Sequence, residues 1–183
     1  DEERVNLVQA CKGCTKYPEM LPIVLLAITT GMRRGEILNL RWADINFKTE
    51  RIILWNTKNG ETRTAPLVGP ALVALRARAK IRPIDNIAHI FPSRVEGNSM
   101  NFFHLDHAWR LVKRDAGLTD FRFHDLRHTA ASYLAMNGAG LREIGDILGH
   151  KTLAMVLRYS HLTDDHKHDT VTRMSNAVFG EST

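Results

Sequence analysis

The chain has 183 residues, 44% of them apolar and 25% charged, the make-up of a soluble globular protein with bulk enough for a core rather than of a disordered segment. Lysine and arginine outnumber aspartate and glutamate 25 to 20, a surplus of +5 that is compatible with a polyanionic partner without establishing one. No apolar stretch reaches the roughly 18 residues that a membrane-spanning helix needs, because the longest, residues 21–32, is interrupted by Pro22, Thr29 and Thr30.

Residues 1–10 and 18–30 read as helices, the second with a proline in its first turn and a stop at Gly31. A Thr-Gly turn then leads into a short helix over 34–40. The pattern changes at 45–47, 51–57 and 62–67, which are rich in β-branched and aromatic residues and predict strands. Asn59-Gly60 lies between the last two, a strong hairpin signal that puts Lys58 at the rim of a β-hairpin. After Pro70 the chain returns to helix, with Leu72, Leu75 and Ala79 on one side and Arg76, Arg78, Lys80 and Arg82 around the rest. A short apolar piece at 89–91 and a polar loop at 93–98 precede helices predicted over 102–116, 124–136, 141–148, 153–159 and 163–179. Asn137-Gly138 and Gly149 read as helix stops. The expected class is α+β, mainly helical with a small three-stranded antiparallel sheet inserted early.

Cys11 and Cys14 stand three apart, but the chain has no further cysteine, so they are expected to be bystander thiols and not half of a zinc or redox site. The reactive side chains concentrate in four other segments: Thr29 to Glu36, Lys58, His124 to His128, and Leu148 to His161. His124 and Arg127 are three apart and so share a helix face. His150 follows a glycine stop, and Tyr159 ends the next short helix, where the two can face one pocket. Together these residues could bind and attack a phosphodiester. Two guanidiniums pair with non-bridging oxygens, imidazoles and an ammonium move protons, and a phenol serves as nucleophile.

Thr30-Gly31-Met32-Arg33-Arg34-Gly35-Glu36, Thr57-Lys58-Asn59-Gly60 with Arg63 and Pro66-Leu67, His124-Asp125-Leu126-Arg127-His128-Thr129, and Leu148-Gly149-His150 with Arg158-Tyr159-Ser160-His161 resemble the motifs of the tyrosine recombinases, the phage-integrase family, over about residues 1–180. The resemblance implies the family's catalytic fold and its chemistry. Tyr159 would attack the scissile phosphate to give a 3′-phosphotyrosyl bond and a free 5′-hydroxyl. Arg33 and Arg127 would hold the non-bridging oxygens, and His150 would donate a further hydrogen bond. Lys58 would protonate the leaving oxygen, and His124 would help take the tyrosine proton. Neither metal nor ATP is implied, since the cations are side chains and the covalent link keeps the phosphodiester energy.

Further expectations come partly from the residues themselves and partly from the resemblance. Arg34, Arg63, Arg76 and Arg78 are candidate DNA-binding residues, whereas Glu36 and Asp125 are expected to orient neighbouring arginine or histidine, and His128 to pack beneath the site. His161, His166 and His168 with Asp164 and Asp165 read as a polar helix start rather than a metal site, and His104 and His107 have no assigned role. The last helix carries Val171, Met174 and Val178 as a narrow apolar stripe that would either pack within its own chain or, as in similar recombinases, dock on a neighbouring copy, giving a tetramer on double-stranded DNA. The chain is expected to be one catalytic domain, 1–183, excised from a longer cytoplasmic protein whose amino-terminal DNA-binding domain lies outside it. Two rivals share parts of this pattern: a type IB topoisomerase-like enzyme that relaxes DNA, and a DNA-binding module without catalysis.

Overall fold

The computed structural model describes residues 2–55, 62–81, 88–93, 103–150, 152–162 and 165–180. They divide into two compact units, residues 1–128 and 129–183. The expected class is what is found: helices dominate, with one three-stranded antiparallel sheet early in the chain.

In the first unit, α1 (Glu2–Gly13) precedes α2 (Met20–Thr30). Helix α2 buries Met20, Pro22, Ile23, Val24, Leu26, Ala27 and Thr30, residues that point in every direction around its axis. A helix apolar all round has to be the centre of a core, and α1, the short α3 (Arg34–Leu38), α4 (Gly69–Ala79) and α5 (Leu105–Asp115) pack against it. Helix α5 shows the commoner design, burying Leu105, Ala108, Trp109 and Val112 at i, i+3, i+4 and i+7 with charges on the other side. Helix α3 stops at Leu38, two residues before its predicted end, where Asn39 caps it by donating from its side chain to the Gly35 carbonyl.

The sheet runs β1 (Ile45–Asn46), β2 (Arg51–Leu54) and β3 (Arg63–Pro66) in sequential order. Ile52 pairs with both Ile45 and Ala65, and Leu54 faces Arg63 across the base of the predicted hairpin. Ile52, Leu54 and Ala65 point into the core with Leu67. Pro66 is tolerated because β3 is an edge strand. The hairpin tip, with Lys58, Asn59 and Gly60, lies outside the described residues, as do Arg82, residues 94–102, and Thr163 and Asp164.

Helix α6 (Asp125–Met136) runs through the division into the second unit, which continues with α7 (Leu141–Leu148) and ends in α8 (Asp165–Phe179). Ala131, Ala135, Ile144, Leu148, Val156 and Tyr159 form this unit's own apolar cluster. The helix predicted over 153–159 is not found. Two 3₁₀ turns, Leu153–Met155 and Leu157–Leu162, take its place. The tighter turn has a physical reason: Val156 and Tyr159, the buried residues of the segment, are three apart, and that spacing lines up on a three-residue turn. In α8 the stripe of Val171, Met174 and Val178 is exposed.

Candidate active site

In the first unit the site begins where α2 ends. Gly31 adopts φ 61°, the left-handed conformation glycine enters without steric cost, and returns its N–H to the Ala27 carbonyl at 3.1 Å. The preceding residue braces the turn: Thr30 Oγ1 donates to the Leu26 carbonyl at 2.6 Å and accepts the Met32 N–H at 3.2 Å. The chain thus re-emerges at Arg33 in extended conformation, which lets Arg33 act as the N-cap residue of α3.

Arg33 is held by Glu36, one turn on. The Glu36 carboxylate accepts the Arg33 backbone N–H through Oε2 at 2.9 Å and the Arg33 Nη1 through Oε1 at 2.8 Å. The backbone half of this arrangement is the N3-to-N-cap contact of a capping box. A second cation meets the same carboxylate, since Arg63 Nη2 donates to Oε2 at 3.0 Å. The ionic groups are only partly open to water, with side-chain exposures of 22% for Arg33, 10% for Glu36 and 13% for Arg63. Burial alone would raise the carboxyl of Glu36. The Arg33 backbone hydrogen bond, the Arg63 charge and the Arg33 side chain outweigh it and hold Glu36 below the ordinary glutamate range.

Arg127 reaches the same turn from 96 residues away. Its buried guanidinium donates through Nη1 to the Gly31 carbonyl at 2.6 Å. The arginines of the first and second motifs are therefore tied to one three-residue stretch. His124 lies in the turn before α6, its carbonyl accepting the Arg127 N–H at 3.0 Å. Its ring meets that of His128 edge-on, with centroids 5.3 Å apart. Asp125 accepts the Arg122 backbone N–H at 2.7 Å, so one contact of this carboxylate serves the start of the helix.

In the second unit His150 follows the left-handed Gly149, φ 69°, at the end of α7. The His150 N–H bonds to the Gly145 carbonyl at 2.9 Å, closing the six-residue loop of a Schellman motif. His150 lines a cleft of about 300 Å³ with Leu141, Arg142, Gly145, Asp146, Thr152, Leu153 and Val156. Tyr159 is a buried residue of the same unit. Its side chain is 6% exposed and packs in the apolar cluster of Ala131, Ala135, Ile144, Leu148 and Val156. Lys58 and the side chains of His166 and His168 lie outside the described residues.

The four candidate DNA-binding arginines differ in setting. Arg34 forms a bidentate pair with Asp106 at 2.7 and 2.9 Å on the surface. Arg76 is exposed beside Glu50 at 3.1 Å. Arg63 is turned inward onto Glu36. Arg78 is turned inward as well, donating to the Ile90 carbonyl at 2.8 Å and lying over the Phe91 ring. His104 precedes α5, and His107 packs edge-on against Tyr17. Cys11 is buried in α1, and burial, reinforced by Cys14, pushes its thiol up to about 12, so it is a protonated apolar group.

Two contacts of the first unit were missed from the sequence, Arg63 with Glu36 and Arg127 with the Gly31 carbonyl. Their residues are 27 and 96 positions apart, and no periodic signal links such pairs.

The chain has relatives among known proteins. The shufflon-specific DNA recombinase of Escherichia coli is 36% identical over 140 residues, covering 75% of this chain and 33% of that protein. The integrase of Salmonella phage P22 is 30% identical over 191 residues, covering 98% of this chain and 47% of its own length. The chain therefore spans a third to about half the length of these relatives. Among solved structures, the catalytic domain of bacteriophage HP1 integrase superposes with a TM-score of 0.71 over the whole chain and 96% of that domain, at 22% identity, a likeness of fold. The model of the phage integrase family matches residues 1–166, and the chain belongs to that family.

Proposed function

We propose that the chain carries the catalytic domain of a site-specific DNA recombinase, which cuts and rejoins strands through a covalent tyrosyl intermediate. The observation that carries this reading is the pair of arginines tied to one turn, Arg127 through the Gly31 carbonyl and Arg33 two residues further on, in a chain of the phage integrase family. Two guanidiniums held this way can clamp the non-bridging oxygens of one phosphate and offset the charge that grows on them in the five-coordinate transition state.

In the proposed step the Tyr159 oxygen bonds to phosphorus as its proton passes toward His124. The bond to the 5′-oxygen breaks, and Lys58 protonates that leaving group. His150 adds a hydrogen bond to the same phosphate. Attack by a 5′-hydroxyl from another strand reverses the step and releases Tyr159. Side chains supply all the charge involved, so neither a metal nor ATP takes part. Arg34 and Arg76, the exposed members of the DNA-binding set, contact backbone phosphates of a double-stranded partner.

The exposed stripe of α8 fits docking on a second copy of the chain, and four copies would assemble on paired DNA sites. The test is to incubate the protein with nicked duplexes selected by it from a random pool, then to look for a denaturation-resistant protein–DNA adduct. The adduct is expected to survive EDTA and to vanish in Tyr159→Phe. An adduct undiminished in Tyr159→Phe sinks the reading.

A further inference from the structure

We propose that Arg63 is a positioning residue for the phosphate-binding guanidinium of Arg33, acting through Glu36 from the edge strand of the sheet. The inference rests on the recombinase reading and adds a residue to it.

The geometry leaves Glu36 little freedom. With Arg33 alone, a contact three residues along a short helix, the carboxylate would hold both partners only locally, and such a pair is weak. Arg63 changes this in two ways. It engages Oε2, the oxygen that also takes the Arg33 backbone N–H, so the carboxylate is tied to a second element of the fold. It also approaches from β3, where backbone pairing with Leu54 fixes its Cα, so the reference point for Glu36 is a sheet and not another mobile side chain.

The charge balance points the same way. Glu36 with Arg33 alone sums to zero, which would weaken the attraction of Arg33 for a phosphate. With Arg63 added the trio carries a net charge of +1, in a setting where all three side chains are at most 22% exposed and screening by water is reduced. Arg63 therefore lets Glu36 orient Arg33 without cancelling it. A direct contact to DNA fits poorly with a guanidinium turned inward and 13% exposed.

The test compares wild type, Arg63→Met, Arg63→Lys, Glu36→Gln and the Arg63→Met/Glu36→Gln double variant. Single-turnover adduct formation is measured on a nicked duplex at saturating concentration, alongside DNA half-saturation, its salt dependence and thermal unfolding. Arg63→Met is expected to lower the saturating rate about tenfold or more, as small misplacements of a reacting group do. Half-saturation and salt slope should stay as in wild type, and Arg63→Lys should recover part of the rate. The double variant should be no slower than Glu36→Gln, because both residues act on one group.

The proposal is overturned if a folded Arg63→Met keeps the wild-type rate, or if its defect lies in half-saturation with a reduced salt slope, the mark of a phosphate contact. Should Arg63→Met fail to fold, Arg63→Lys decides: a lowered rate at unchanged thermal stability supports positioning, and an unchanged rate rejects it. If wild type itself forms no Tyr159-dependent adduct, the recombinase reading fails and the proposal with it, an outcome distinct from an adduct that is indifferent to Arg63.

Discussion

The turn at Gly31 to Arg33 and the segment that carries Tyr159 hold their reactive groups by opposite means. At the turn the reactive groups are held by polar, directed contacts: a left-handed glycine, a braced threonine, a carboxylate shared by two arginines and a buried guanidinium on a carbonyl. Tyr159 packs into an apolar cluster, and the backbone there is two 3₁₀ turns, whose hydrogen bonds are of poorer geometry than those of an α-helix. Directed bonds preorganise a charge for a transition state, whereas apolar packing around a 3₁₀ segment can be exchanged for another packing at modest cost. The arginines proposed to hold the phosphate are fixed by directed bonds, and the proposed nucleophile sits in apolar packing.

Arg127→Met breaks the rigid side of this contrast and carries the largest expected effect. It removes a buried donor and leaves the Gly31 carbonyl unsatisfied, which costs about 1–3 kcal/mol of stability. The larger loss is catalytic, about 10²- to 10³-fold in the saturating rate of adduct formation, the scale of removing one preorganised donor to a developing charge. Chemical denaturation and single-turnover kinetics on the same preparation measure both. A rate within a factor of a few of wild type would mean that Arg127 serves the fold alone.

Leu148→Ala strikes the other side. Leu148 is fully buried in the cluster around Tyr159, and truncating such a residue costs about 2–5 kcal/mol. Hydrogen exchange should show the loss in the amides of α7 and the two 3₁₀ turns, with faster opening of the segment that holds the phenol. If those amides keep their protection, apolar packing is not what holds Tyr159.

The two regions also differ in how far the sequence disclosed them. The contact of Arg33 with Glu36 follows from a three-residue spacing, and the turn at Gly31 follows from a glycine at the end of an apolar helix. The pairing of β2 with β3 was legible for the same reason, because it is written in turn chemistry. Residues 153–159 were misassigned because a spacing of three between buried residues suits an α-helix and a 3₁₀ turn alike over so short a run. Arg63 entered the DNA-binding set as part of the hairpin motif, with no sequence signal for its contact to Glu36. Only the fold brings it to a carboxylate 27 residues earlier. The roles of Arg33, His124, Arg127, His150 and Tyr159 came from the family's motifs, since each side chain alone has a plainer explanation.

Acid provides a graded way to loosen the clamp. Glu36 titrates below the ordinary glutamate value when folded, so its contribution is fully present above the unfolded pKa of about 4.3 and is lost as pH falls through the folded value. Stability should decline below about pH 5, and Glu36→Gln should flatten that part of the profile while lowering stability at neutral pH. Denaturant midpoints at a series of pH values test this. An acid limb of equal steepness in wild type and Glu36→Gln would show that other carboxylates set it.

The smallest effect belongs to the arginine next door, and it sharpens the contrast by its weakness. Arg34 pairs with Asp106 through two hydrogen bonds, and the Arg34 hydrogen bond chiefly holds the Asp106 carboxyl below its ordinary range. Both side chains are open to water, however, and exposed pairs contribute about 0–1 kcal/mol. Asp106→Asn should therefore leave the unfolding midpoint nearly unchanged. Arg34→Ala should reduce the salt slope of DNA binding by about 1 and weaken affinity evenly across sequences, with the saturating cleavage rate intact. Adjacent in the chain, Arg33 and Arg34 would then differ in kind, because only Arg33 has its direction fixed by a carboxylate that is itself tied to a second element of the fold. A fall in the saturating rate for Arg34→Ala as large as that for Arg127→Met would erase this distinction and extend the clamp to the surface.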